Sequence, residues 1–302
     1  MTGTSALPLR PAEFIALMAM MAATVAFSID AMLPGLPHIA LSLSPEAPNR
    51  AQLVVTAFLA GLGVGTFLAG PLSDSFGRRR VILWGAAIYM VGAALGLLAQ
   101  SLEALLMARA VQGLGAAAFR IVSIAIIRDL TSGREMARLM SFVMMVFALT
   151  PAFAPLLGAG LIALAGWRAV FAAFVIFALV LSAWMMLRLP EPLPRARRRP
   201  FRLRPLALAA REVVAHPVTR RAILVQMLAM TTLFTSLSLV QPVFDESFGR
   251  GAEFPVWFFG MALVAGTGSL INARLVGRFG MVRMVRAALL AQAALSTLAI
   301  LA

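Results

Sequence analysis

The 302-residue sequence has no cysteine, no lysine and only two histidines, His38 and His216, which lie far apart in the chain. Without cysteine there are no disulfides, thiolate metal sites or thiol chemistry. Two isolated imidazoles make no ligand set, so no metal and no other cofactor is expected. Charge is scarce as well: 13% of residues are charged and 61% hydrophobic, with a mean hydropathy of +0.93. A soluble domain of this length needs a far more polar surface. The composition defines a polytopic membrane protein.

Strict apolar–polar alternation is also missing, which excludes barrel strands and leaves helices to satisfy the backbone in lipid. A helix needs roughly 20 apolar residues to cross the hydrocarbon core. On that rule the sequence predicts an all-α bundle with nine spans, at 14–36, 51–72, 81–99, 102–127, 139–164, 169–188, 221–243, 254–274 and 284–302. The first run lacks a small-residue cleavage site and is read as a helix rather than a signal peptide.

The net charge of +14 comes from 26 arginines. They gather in short segments beside the apolar runs, as the positive-inside rule requires, so no nucleic-acid partner is expected. With the N-terminus in the cytoplasm, the inner segments hold 21 arginines and the outer ones 3, namely Arg50, Arg168 and Arg250. The expected division is a six-helix bundle over 1–188, a basic cytoplasmic linker over 189–220, and a partial second bundle of about three helices over 221–302. Prolines in the linker stop the sixth span. Its arginines suit anionic headgroups, at about 1 kcal/mol each near the surface, and the segment reads as a solvated topology anchor. A weak internal echo, Leu72…Phe76-Gly77…Arg80 against Leu275…Phe279-Gly280…Arg283, points to two repeated bundles.

Between the second and third spans stands Gly70-Pro-Leu-Ser-Asp74-Ser-Phe-Gly77-Arg78-Arg79-Arg80. Gly70 would let a neighbouring helix approach, and Gly77 would permit a tight turn. Asp74 can face a helix N-terminus or a guanidinium, and the arginines would hold the loop at the inner surface. This segment resembles the G-x-L-x-D-x-x-G-R-R pattern between helices 2 and 3 of the major facilitator superfamily. In the fourth span, Arg109-Ala-Val-Gln112-Gly113 is similar to the R-x-x-Q-G pattern that the superfamily associates with proton coupling. An arginine inside a membrane is costly, about 3 kcal/mol or more near a helix centre, so it should meet a partner or water; snorkelling to the outer surface is the alternative. Arg120, eleven residues on, returns to nearly the same helix face. In the fifth span, Pro151, Pro155 and Gly158 resemble the antiporter motif of the drug:proton branch, with Ala154 and Ala159 in place of two glycines; a plain proline kink is the other reading.

Asp30-Ala-Met-Leu-Pro34-Gly-Leu-Pro37 and Gly166-Trp-Arg168-Ala-Val-Phe171 resemble the bicyclomycin- and chloramphenicol-resistance subfamily. Burial and a neighbouring guanidinium act on a carboxyl in opposite senses, so Asp30 can titrate in the range a proton-coupled carrier uses. Capping the outer helix end or joining a fixed pair are its other possible roles. Met-rich stretches such as Met18, Met20 and Met21 either line an adaptable pocket or pack in the core.

The resemblance implies a single-chain carrier in the bacterial inner membrane, exporting small drug-like or amphiphilic molecules against protons by alternating access. Asp30, Arg109, Gln112 and Arg120 would couple the proton, and membrane lipid would be the other partner. The family has twelve helices, so three are unaccounted for, which favours a fragment or a truncated reading frame. On that view the helix end that Asp74 should face is missing. A ten-helix drug/metabolite-type carrier and a truncated, non-transporting membrane protein are the alternatives. No clustered nucleophile or acid–base pair suggests an enzyme.

Overall fold

The computed structural model describes residues 9–301, and the described residues form helices and short connections without strands. The α-helices are α1 (Pro11–Asp30), α2 (Leu36–Leu43), α3 (Leu53–Phe76), α4 (Arg78–Leu98), α5 (Leu102–Leu130), α6 (Gly133–Ala165), α7 (Arg168–Arg188), α8 (Leu203–Ala215), α9 (Pro217–Pro242), α10 (Phe254–Phe279) and α11 (Met281–Leu301).

Among the described residues, six helical segments are long and apolar enough to cross a bilayer: Pro11–Leu43, Pro48–Phe76, Arg78–Leu98, Leu102–Leu130, Gly133–Ala165 and Arg168–Arg188. They coincide with the first six expected spans. The seventh to ninth fall on α9, α10 and α11, helices of 26, 26 and 21 residues. The first span is not continuous, as it was expected to be. The α-helix stops at Asp30, a 3₁₀ turn occupies Leu33–Gly35, and α2 follows. Pro34 and Pro37 have no N–H to donate to the preceding turn, which weakens the α-helix there and favours the break.

A larger correction concerns the segment from Gly70 to Arg80, expected as a loop. It is helical up to Phe76 and again from Arg78, so only Gly77 separates α3 from α4. Gly77 adopts φ +100°, a conformation L side chains rarely enter. Gly280 at φ +78° separates α10 from α11 in the same way, which gives the internal echo a structural counterpart.

α5 is the centre of the packing, with α3 and α4 along most of its length. A Cβ at Gly113 would overlap the Phe58 carbonyl of α3, so α3 and α5 approach to backbone contact there. α1 packs on α6, where Gly158 sits against the Ala31 carbonyl, and α4 packs on α7. α6 runs unbroken through Pro151 and Pro155 and reaches α10, where Phe153 and Phe259 meet edge to face at 5.3 Å. Glu13 of α1 accepts hydrogen bonds from Arg188 and Trp184 of α7, closing the ring of helices at that end.

Candidate functional site

Arg109 has no exposed surface. Its Nη1 donates to Gln112 Oε1 at 2.7 Å, Nη2 to the Ser28 carbonyl at 2.9 Å, and Nε to the Val54 carbonyl at 3.3 Å. Cζ lies 4.4 Å from the centre of the Phe58 ring and 5.9 Å from those of Phe171 and Phe174. The guanidinium is therefore held by neutral oxygens and aromatic faces, both of which stabilise a desolvated cation. Ser28 Oγ pairs with Tyr89 Oη at 2.7 Å, bringing α4 into the cluster. One arginine thus ties α1, α3, α4, α5 and α7 together. Full burial and inward-facing partners set aside snorkelling.

Gln112 is fully buried beside it, and its Nε2 has no partner among the described residues. Asp30 is the last residue of α1 and only 3% exposed. No ion pair or side-chain hydrogen bond forms to it among the described residues, so it is neither a fixed partner of Arg109 nor a satisfied cap. Arg109 instead takes the backbone carbonyl of Ser28, two residues earlier. Arg120 does not join this cluster. It shares the azimuth of Arg109, but eleven residues carry it about 16 Å along the axis. At that level the side chain is exposed and stacks over Phe147, with Cζ 5.6 Å from the ring centre.

A second cluster forms where α3 meets α4. Arg78 was expected at the membrane surface, but it is 6% exposed. Its Nε donates to Asp129 Oδ2 at 2.7 Å, and Nη1 donates to Asp74 Oδ1 at 2.6 Å and to Ser73 Oγ at 2.5 Å. Asp74 therefore has a partner within its own segment. Burial explains the difference, since a buried guanidinium needs acceptors for its N–H groups, and two carboxylates and a hydroxyl supply them. Glu191, just past the sixth span, accepts from the backbone N–H groups of Arg78 and Arg79 at 2.9 and 3.2 Å and caps the N-terminus of α4. Arg79 Nη2 donates to the Met186 carbonyl, and the Arg199 N–H to the Asp74 carbonyl at 3.0 Å. The start of the linker is thus a strap on the charge cluster rather than a solvated anchor. Gly70 faces open space: a Cβ there would meet nothing within 4 Å, so it serves no close approach among the described residues.

Sequence reasoning missed Ser28, Phe58, Tyr89, Asp129 and Glu191. Tyr89 is the only tyrosine in the chain, and Asp129 follows Arg128 at the end of the fourth span; these were the available signals. A cleft of about 510 Å³ lies between α3 and α9, lined by Gln52, Thr56, Met227, Met230, Thr231 and Phe234 among others. Its walls include Leu53 and Val55, the neighbours of the residue whose carbonyl holds Arg109.

Six helical segments long and apolar enough to cross a bilayer, packed around a buried cationic centre, define a multi-pass membrane protein. The sequence model of the Major Facilitator Superfamily matches residues 15–302, and the chain belongs to that family of transporters. This sets aside the ten-helix alternative, and the family consists of transporters rather than enzymes. The chain is 28% identical over 267 residues to the bicyclomycin resistance protein homolog of Haemophilus influenzae, covering 88% of this chain and 67% of that protein. It is 36% identical over 186 residues to the uncharacterized MFS-type transporter YdgK of Bacillus subtilis, 61% of this chain and 46% of that one. Over 146 residues it is 40% identical to the chloramphenicol resistance protein of Pseudomonas aeruginosa, 48% of this chain and 34% of the other. The chain thus spans roughly a third to two thirds of the length of these relatives. Among solved structures, a D-xylose-proton symporter superposes with a TM-score of 0.68 at 16% identity, covering 88% of this chain and 69% of that one. At that identity the likeness is one of fold.

Proposed function

We propose that the chain forms part of a proton-coupled exporter of small drug-like or amphiphilic molecules that works by alternating access in a bacterial inner membrane. The N-terminus lies in the cytoplasm, residues 1–188 form one bundle and 221–302 belong to a second. The names of the bicyclomycin- and chloramphenicol-resistance relatives support drug export, and the arginine asymmetry supports the orientation. One observation carries the coupling. Arg109 and Asp30 are both buried, they approach the same stretch of α1, and neither has an oppositely charged partner among the described residues. A buried charge without a counter-charge is expensive, so a proton gained or lost at Asp30 changes the energy of the whole centre. A ligand shifts a two-state protein only through such a difference between states. The cleft between α3 and α9, lined by Met, Thr, Gln and Phe side chains, fits an uncharged amphiphile and lies one residue from this centre.

The test is drug accumulation in sealed, inverted vesicles under an imposed pH gradient. Asp30→Asn should reduce gradient-driven uptake to background while drug binding persists. Undiminished coupling in that variant would remove the proton from Asp30. A well-inserted chain that neither binds nor moves any ligand would instead establish the non-transporting reading.

A further inference from the structure

The second half of the linker forms α8, 13 residues between the strap and α9. In its sequence Leu203, Leu206, Ala207, Ala210, Val213 and Val214 recur at i, i+3, i+4, i+7, i+10 and i+11, one apolar stripe of a helix. Arg204, Arg211 and Glu212 fall on the other side of the wheel, together with Leu208, Ala209 and Ala215. Val213 and Val214 are 48% and 55% exposed, and the principal neighbour of α8 is α9. At about 20 Å the helix is too short to span a bilayer.

Both ends of α8 are tied to helices of the bundle. The Arg199 N–H is bonded to the Asp74 carbonyl at the end of α3, and Leu203 follows four residues later. Four extended residues reach at most about 14 Å. At the other end, His216 alone separates α8 from the start of α9. From Arg195 to Arg211 the chain holds seven arginines and no acid.

We propose that α8 is a docking helix for the cytoplasmic leaflet, with its apolar stripe at the acyl boundary and its arginines on anionic headgroups. The proposal rests on the cytoplasmic placement of the linker. Helices with a basic polar face and an apolar stripe lie in this plane, immersed by about 5–10 Å, and the tether holds the start of α8 within about 14 Å of the end of α3. Its arginines add attraction that a zwitterionic surface lacks.

The absence of native cysteine makes a direct test possible. Nitroxide is attached to the full chain carrying Val213→Cys, Val214→Cys or Glu212→Cys, in bilayers of phosphatidylcholine with or without phosphatidylglycerol. With the anionic lipid, labels at 213 and 214 should be open to oxygen and shielded from a water-soluble nickel chelate, and the label at 212 should show the reverse. Omitting phosphatidylglycerol should shift 213 and 214 toward nickel access. Arg211→Gln should lower the ratio of docked to undocked helix by about five-fold. Labels at 213 and 214 that are shielded from both reagents would show a protein partner and overturn the proposal. Equal immersion in phosphatidylcholine alone would overturn the anionic assignment. Reaction of Glu212→Cys with an impermeant thiol reagent outside intact cells would overturn the cytoplasmic placement, leaving the Asp30 result untouched.

Discussion

Arg78 Nε donates to Asp129 Oδ2 at 2.7 Å, joining the start of α4 to the end of α5 across 51 residues of sequence. The same guanidinium reaches Asp74, so one side chain balances two carboxylates from two other helices. Neither partner alone accounts for its burial.

Removing Arg78 leaves its acceptors without a charged donor, although the Asp74 and Asp129 side chains, 47% and 25% exposed, keep access to water. Arg78→Ala should therefore cost about 1–3 kcal/mol, seen as a fall in the thermal unfolding midpoint in detergent. Arg78→Lys should recover only part of the loss, because an ammonium cannot reproduce the fork that reaches both acids. Full recovery by lysine would mean that charge alone matters there.

Arg109→Met keeps the side-chain bulk but leaves the Ser28 carbonyl and Gln112 Oε1 without their charged donor, while the Val54 carbonyl keeps its helical N–H partner. Each buried acceptor left unpaired costs about 1–3 kcal/mol. Lower thermal stability and loss of transport are both expected, measured on the same purified sample. Arg109→Lys should fold better than Arg109→Met yet fail to restore transport.

Two motif glycines should behave in opposite ways. Gly113→Ala places a methyl group into the Phe58 carbonyl, so α3 and α5 must separate, and the midpoint should fall. Gly70→Ala meets open space inside a helix and should leave stability unchanged or raise it by up to about 1 kcal/mol. A destabilising Gly70→Ala measured on the same chain would contradict the packing described here.

Glu191→Gln weakens the cap on α4 and frees the strap. A cap of this kind is worth about 1 kcal/mol, so tryptic cleavage at Arg195, Arg197 and Arg198 should speed up about five-fold. Timed digestion with gel analysis reads this directly.

The spans were legible because apolar runs of the right length, bounded by arginines, admit few alternatives in lipid. Asp74, Gly77 and Arg109 stood out in the sequence, but their partners did not. Arg109 bonds to two backbone carbonyls, and any residue type supplies a carbonyl, so no pattern marks Ser28 or Val54. Glu191 reaches back across 113 residues, a pairing that only the packed bundle creates. Gly70 meets no neighbouring helix among the described residues, because its place in a pattern does not set its direction. It lies five residues beyond Gly65, about 140° around the helix from the face that meets α5.

With one residue between α3 and α4, and one between α10 and α11, movement at these joints is confined to a single pair of dihedral angles. Helices joined in this way keep their adjoining ends together, so a change in the charge cluster around Arg78 is felt by α3 and α4 at once.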